Sequence, residues 1–471
     1  MIFNSLLYAA FLPAVVALYW VLPHRKRLWL LLAAGYTFYG WWDVRFLGLL
    51  ALSTGVDYVL ARWIASKTDE TARKRLLWLG VAINLGILGT FKYANFFVHS
   101  ANRLADTLGL GEHVSWSLGL ILPVGISFYT FQSMSYTFDV YRRRTEPCED
   151  ALVYAVYVSF FPQLVAGPIE RANHMLPQYR TPRPLPDRND VRSALLLIGQ
   201  GVFKKVCIAD ALAATAAQGF GQAGGSGSVM LLIAVYAFAL QIYADFSAYT
   251  DIARGSARLL GIDLMRNFES PYLSLNITEF WRRWHISLSN WLRDYLYVPL
   301  GGNRGTGFTV ARNLLITMLL GGLWHGAAWT FGVWGLLHGL FLVAHRPFRG
   351  RSMSRDEVRL RWRDALPIIG TFHLVCLAWI FFRAVSFSQA WAVLTGIFSF
   401  RGGSIGVNDV LLVALAGVIT LALDLAQRRS GQQSVVLQLP PLARGAVYGL
   451  AFAGLLVYSG GAPVPFIYFQ F

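Results

Sequence analysis

Charge is scarce in this chain. Of its 471 residues, 55% are hydrophobic and only 14% are charged, against about 25% charged in an ordinary soluble domain. A soluble globular body is excluded on that ground. Cysteine is scarcer still. Cys148, Cys207 and Cys376 are the three present, at spacings that suit neither a zinc site nor a disulfide framework. The long apolar runs lack the two-residue alternation that a membrane β-barrel needs. The start, MIFNSLLYAAFLPAVV, has no basic n-region and no small-residue cleavage site, so a retained first helix is expected there. No strong internal repeat is present, which weighs against an inverted-repeat transporter.

Apolar runs are what the chain has in quantity. Residues 6–22, 76–98 and 230–249 are long enough, or nearly so, to cross a bilayer as helices, which takes roughly 20 residues. The expected fold class is all-α, a polytopic membrane protein, with residues 1–471 forming a single integral-membrane domain. The net charge of +16 would point to nucleic acid in a soluble chain. Here the lysines and arginines collect in loops between apolar runs, so no nucleic-acid partner is implied. His24-Arg25-Lys26-Arg27, Arg73-Lys74-Arg75 and Arg142-Arg143-Arg144 fall on one side when the runs 6–22, 28–42, 46–65, 76–98 and 118–140 alternate. That side is cytoplasmic by the positive-inside rule, which places the N-terminus and the segment 99–117 on the outer face.

Beyond residue 150 the pattern is less regular. The run 151–166 is short and is interrupted by Gly167-Pro168. A re-entrant or half-buried element is expected there, covered by protein or lining a water-filled cavity. The run 195–220 carries Lys204, Lys205 and Asp210, so it is expected to lie partly at the membrane surface. Residues 221–228 are a Gly/Ser loop between two helices. The run 230–249 ends in YADFSAYTD. Its carboxylates either sit at the membrane surface or, in the case of Asp245, face a polar cavity and orient another group. The loop 345–363 is the most basic in the chain and is expected in the cytoplasm. Apolar segments 365–382, 390–400, 411–426 and 445–459 follow. The tail PFIYFQF has the composition of segments at headgroup level.

Chemistry concentrates in residues 276–338. A helix is expected over 276–297, with Asn276 as N-cap and Glu279 three residues on. Trp281, Trp284, Leu288, Trp291 and Tyr295 would form an aromatic face, with Arg283, Ser287, Asn290 and Asp294 on a polar one. Such a helix lies in the membrane interface. His285 borders the aromatic face, as an interface histidine or as a functional one. Pro299 ends the helix, and Gly301-Gly302-Asn303-Arg304-Gly305 could present N–H groups and a cation to phosphate, or simply turn beside headgroups. The run 313–323 ends in GGLWHG. Glycines around His325 allow close backbone approach or a helix break. A histidine there is a good general base, since its ordinary pKa is near ~6.5 and burial keeps it neutral. His338, about 220° further round an ideal helix, is off the face of His325 and reads as structural. The three histidines offer no HxH or HxxxH pairing, so no metal is expected.

Six segments together resemble the membrane-bound O-acyltransferase family, and within it the branch that contains the alginate O-acetylation protein I. They are FKYANF (91–96), LPVGISFYTF (122–131), AGPI (166–169), DFS (245–247), FWRRWHISLS (280–289) and GGLWHG (321–326). The likeness runs from residue 1 to about 342 and is looser beyond. It implies a ring of helices around a central funnel in which His325 is the essential histidine and His285 its partner. Trp324, Asp245, Tyr249, Arg283, Asn290 and Arg304 are the candidates for holding donor or acceptor. No bound cofactor is implied. The donor substrate would be cytoplasmic acetyl-CoA, its phosphates drawn by Arg283, Arg304 and Arg312, although anionic membrane lipid would suit those arginines equally. The acetyl group would cross a bacterial inner membrane to a periplasmic SGNH-type, esterase-like partner that modifies an exopolysaccharide such as alginate. Transfer of D-alanyl or another acyl group, or a non-catalytic export component, are the alternatives.

Overall fold

The structure is a computed structural model and describes residues 1–110, 119–348, 360–404, 406–460 and 464–467. Parts of the expected outer segment 99–117, of the run 118–140, of the basic loop 345–363 and of the aromatic tail lie outside the described residues. All regular elements among the described residues are helical. The chain divides into two compact units.

The first unit comprises Met1–Asp187, Ser256–Leu264 and Gly326–Ala328. It holds α1 (Leu6–Val21), α2 (His24–Gly40), α3 (Leu47–Ser66), α4 (Glu70–Leu88), α5 (Ala94–Thr107), α6 (Ile126–Tyr141), α7 (Ala151–Ser159) and α8 (Ala172–Arg180). Asp69 and Asp150 start α4 and α7 by accepting first-turn N–H groups on their side chains. α6 begins later than the run 118–140 suggests, after Pro123 and after Gly125, which has a φ of +77°. α3, α4 and α6 pack around a buried carboxylate, Asp57. Asn84 Nδ2 donates to its two oxygens at 2.9 and 3.0 Å, and Thr137 Oγ1 donates at 3.2 Å. After α7 the backbone is irregular, and residues 160–170 are buried throughout. The break at Gly167-Pro168 is therefore covered by protein, as non-helical backbone at membrane depth requires.

The second unit comprises Arg188–Gly255, Met265–His325 and Trp329–Phe471. Its helices are α9 (Arg188–Phe203), α10 (Ala211–Gly221), α11 (Ser228–Leu259, all but its last turn), α12 (Ile277–Arg283), α13 (Ile286–Leu292), α14 (Gly307–His325), α15 (Trp329–His345), α16 (Ala365–Arg383), α17 (Phe387–Phe398), α18 (Val407–Ser430) and α19 (Pro441–Tyr458). Three expectations change here. The run 230–249 does not end near Asp245. α11 continues to Leu259, so Asp245 and Asp251 lie inside it, 3% and 2% exposed.

Lys204 and Lys205 are not at a membrane surface either. A π-helical turn between α9 and α10, Lys204–Asp210, carries both inward. Lys204 Nζ lies 2.8 Å from Asp251, and Lys205 Nζ lies 2.8 Å from Asp210 and 3.0 Å from Asp245. Opposite charges buried together offset much of each other's desolvation, which a lone lysine cannot do. The tail, finally, is not a headgroup anchor where it is described. Ile467 N–H donates to Asp245 Oδ2 at 2.8 Å, and the Phe466 ring lies 4.9 Å from Tyr249. Both tail residues are buried.

Seven helical stretches among the described residues are long and apolar enough to cross a membrane. They are Val44–Ser66, Glu70–Thr107, Ser228–Leu259, Gly307–His325, Trp362–Arg383, Val407–Ser430 and Pro441–Tyr458.

Candidate active site

The single helix expected over 276–297 is two helices with a break between them. α12 starts as expected, with Asn276 Oδ1 accepting the Glu279 N–H at 2.9 Å. Glu279 Oε2 accepts the Leu275 N–H at 3.0 Å, one residue ahead of the cap. α12 stops at Arg283 because the preceding loop supplies other partners. Glu269 N–H donates to Arg283 O at 3.0 Å, and Ile286 N–H donates to Asn267 O at 2.9 Å. Asn267 Oδ1 also accepts the Ser287 N–H at 3.1 Å, capping α13. His285 sits in this break with a φ of +40°. A non-glycine residue there is strained, and its surroundings must hold it. The expected polar face is also displaced: Arg283 and Ser287 are buried, and Arg283 Nε pairs with Glu279 Oε1 at 2.8 Å.

The run 313–323 lies in α14, which ends on His325. α14 and α15 approach until their backbones touch. A Cβ on Gly322 would meet Phe331 O at 2.2 Å, and one on Gly335 would meet Met318 O at 2.1 Å. This contact sets Trp334 of α15 edge-on to His325, with ring centroids 5.0 Å apart. Phe382 of α16 lies 5.4 Å from His325.

The two conspicuous histidines meet. Their ring centroids are 6.4 Å apart, and Trp324 lies 6.0 Å from His285 and 4.9 Å from His325. Phe246 of α11 closes the side of His285 at 4.7 Å. His285 is fully buried and His325 is 5% exposed. Burial pushes the His285 pKa down to about 3, so its ring is neutral at any working pH. The rings are too far apart to bond each other directly, yet close enough to address one small polar group between them. An imidazole pair in a buried shell of Trp324, Trp334, Phe246 and Phe382 has the groups to take up and return a proton.

His338 lies beyond Trp334, which contacts both it and His325. It stacks on Phe280 at 5.9 Å and accepts the Trp281 indole N–H at Nδ1, 3.3 Å away. Helical phase separates His338 from His325 only along one continuous helix. α14 and α15 are separate helices, and the neighbourhood is set by their packing.

The other candidates fall differently. Trp324 is part of the site. Asp245 and Tyr249 lie on α11 beside Phe246 but hold Lys205 and the tail. Arg283 is engaged with Glu279 and Glu269 O. Asn290 is partly exposed, and Arg304 is exposed in a turn where Gly301, Gly302 and Gly305 all have positive φ. No contact among the described residues ties Asn290 or Arg304 to the histidines. Phe246, Asn267, Trp334 and Phe382 were not singled out from sequence. The DFS and LWHG segments pointed near the first and third. Nothing local marks Asn267 or Phe382.

Residues 76–388 match the membrane-bound O-acyltransferase family. Over its full length the chain is 39% identical to "Probable alginate O-acetylase AlgI" of Azotobacter vinelandii, covering 100% of both chains. The Pseudomonas aeruginosa protein of the same name is 43% identical, over 85% of this chain and 75% of its own. "Peptidoglycan O-acetyltransferase" of Helicobacter pylori is 39% identical, over 86% of this chain and 81% of its own. This multi-pass membrane protein is thus an O-acyltransferase, and it belongs to the membrane-bound O-acyltransferase family.

Proposed function

We propose that the chain transfers an acetyl group from cytoplasmic acetyl-CoA across the inner membrane for O-acetylation of an extracytoplasmic polysaccharide, alginate or one like it. The observation that carries this reading is the pairing of His285 and His325 at 6.4 Å in a buried aromatic shell. Relatives with 39–43% identity bear O-acetylase names, two of alginate and one of peptidoglycan, which supports acetyl as the group and a polymer as the final acceptor.

His325 takes the proton from the acceptor hydroxyl as its oxygen attacks the thioester carbonyl. The C–S bond then breaks, and the departing thiolate receives that proton from His325. His285, neutral throughout, orients the acceptor or the carbonyl. Trp324 lines the reacting space. Arg304 and Arg312 attract the CoA phosphates, whereas Arg283, being ion-paired and buried, serves the fold around His285. A periplasmic SGNH-type partner receives the acetyl group and delivers it to the polymer, and the N-terminus lies on the periplasmic side.

The test is to express His325→Ala and His285→Ala in the native membrane at wild-type levels and measure alkali-labile acetate on the polymer. Loss of about 10²–10⁴-fold in His325→Ala is expected, the usual range for general acid–base catalysis. Full acetylation by that variant would defeat the assignment. Transfer of label from a D-alanyl donor, with none from acetyl-CoA, would redirect it to another acyl group.

A further inference from the structure

α18 lies beyond the family-matched residues 76–388. It has the composition of a lipid-facing span, with Leu411, Leu415, Val418 and Leu421 exposed. Yet Asp424 and Arg428, one helical turn apart, are 4% and 8% exposed. At that spacing they share a face. Charged groups buried in an apolar helix persist where they have partners and a task.

Their partners converge on the segment that leads into His285. Asp424 Oδ1 accepts the Tyr243 hydroxyl at 2.8 Å, and Asp424 O accepts Ser270 Oγ at 3.1 Å. Arg428 Nη1 donates to Leu273 O at 2.7 Å. Arg428 Nη2 lies 3.4 Å from Glu279 Oε1, the oxygen that also holds Arg283. Residues 270–283 are therefore held from α18 through Ser270, Leu273 and Glu279, directly before the strained residue. Tyr243, fixed at its hydroxyl, lies 5.8 Å from Phe268 and 6.1 Å from Trp284, which flank the break.

We propose that Asp424 and Arg428 are positioning residues for the reaction: α18 clamps the loop and α12 so that His285 stays in its left-handed conformation beside His325. The proposal rests on reading His285 and His325 as the reacting pair. Neither α18 residue touches substrate in this scheme. They act through His285, so their effect exists only while His285 is present.

The experiment is a double-variant cycle on the full chain in native membranes, following acetyl transfer to polymer against acetyl-CoA concentration. Arg428→Met is expected to lower kcat about 10–100-fold, as sub-ångström misplacement does, with the KM for acetyl-CoA unchanged within about twofold. Arg428→Lys should restore part of the rate. In a His285→Gln background, Arg428→Met should remove less than about twofold of the residual rate. Tyr243→Phe, which keeps the ring and loses only the hydroxyl, should show a smaller loss with the same dependence on His285, and it serves if Arg428→Met fails to accumulate. Losses that multiply with that of His285→Gln would overturn the clamp and leave the histidine pair standing. So would a raised KM with unchanged kcat. Full activity in His285→Gln alone would instead remove the pair on which the clamp depends.

Discussion

Asp57 in the first unit and three carboxylates in the second, Asp245, Asp251 and Glu279, are buried in different ways. In the first, Asp57 is surrounded by neutral donors, Asn84 and Thr137. In the second, Asp251 faces Lys204, Asp245 faces Lys205, and Glu279 faces Arg283 and Arg428. Hydrogen bonds from neutral donors join helices at modest net gain, and neutralising the carboxylate they serve strands no opposite charge. Ion pairs are less forgiving: removal of one partner strands the other. The charged arrangement occurs in the unit that carries the histidine pair, where residues as far apart in sequence as Glu279 and Arg428 must be brought into register. Buried charge suits that task because it tolerates few alternative partners.

The comparison breaks most visibly if a cation is deleted. Lys204→Met leaves Asp251 without its ion pair and should cost about 3–5 kcal/mol, read as a lowered unfolding midpoint in detergent. Adding Asp251→Asn should recover most of that loss. A Lys204→Met protein as stable as wild type would mean that the pair contributes nothing.

The next largest effect concerns pH. Burial lowers the His285 pKa to about 3, so the unfolded chain binds the proton first. The contribution is complete above about 6.5 and is lost as pH falls, at about 1.4 kcal/mol per unit, or about 2.7 kcal/mol at pH 4.5. A His285→Gln variant should lack this part of the acid-side slope. Asp57→Asn, with only neutral partners to disturb, should cost about 1 kcal/mol. A loss as large as that of Lys204→Met would erase the distinction between neutral and charged partners.

The smallest effect has the opposite sign. In the first unit, the hydrogen bond that His174 Nδ1 donates to the Glu170 carboxylate raises the His174 pKa above its ordinary value. Its stabilisation is present below about 6.5 and fades as pH rises through the raised value. The site is more than a third exposed, so solvent screens it. A slight alkaline fall in midpoint, absent in His174→Gln, is the expected signature.

Much of this was legible in sequence. The apolar runs announced membrane helices, and the glycines beside His325 announced close backbone approach and a helix end. Asn276 and Glu279 announced the start of α12. The break at His285 was not legible, because the groups that end α12 come from Asn267 and Glu269 and replace its own ladder. Lys204 and Lys205 looked superficial because a run read alone does not display its distant carboxylates. The helical phase of His338 carries no information for a related reason: it was measured across a boundary between helices.

Gly322 and Gly335 bring one more consequence. Because α14 and α15 meet backbone to backbone, the main-chain positions of His325 and Trp334 are fixed relative to each other without interlocking side chains. Reshaping the aromatic lining at Phe246, Trp324 or Phe382 would change the space beside His325 without shifting the backbone that carries it. The hairpin is in that sense a fixed anvil: the wall around His325 can be reshaped while the backbone beneath the imidazole stays in place.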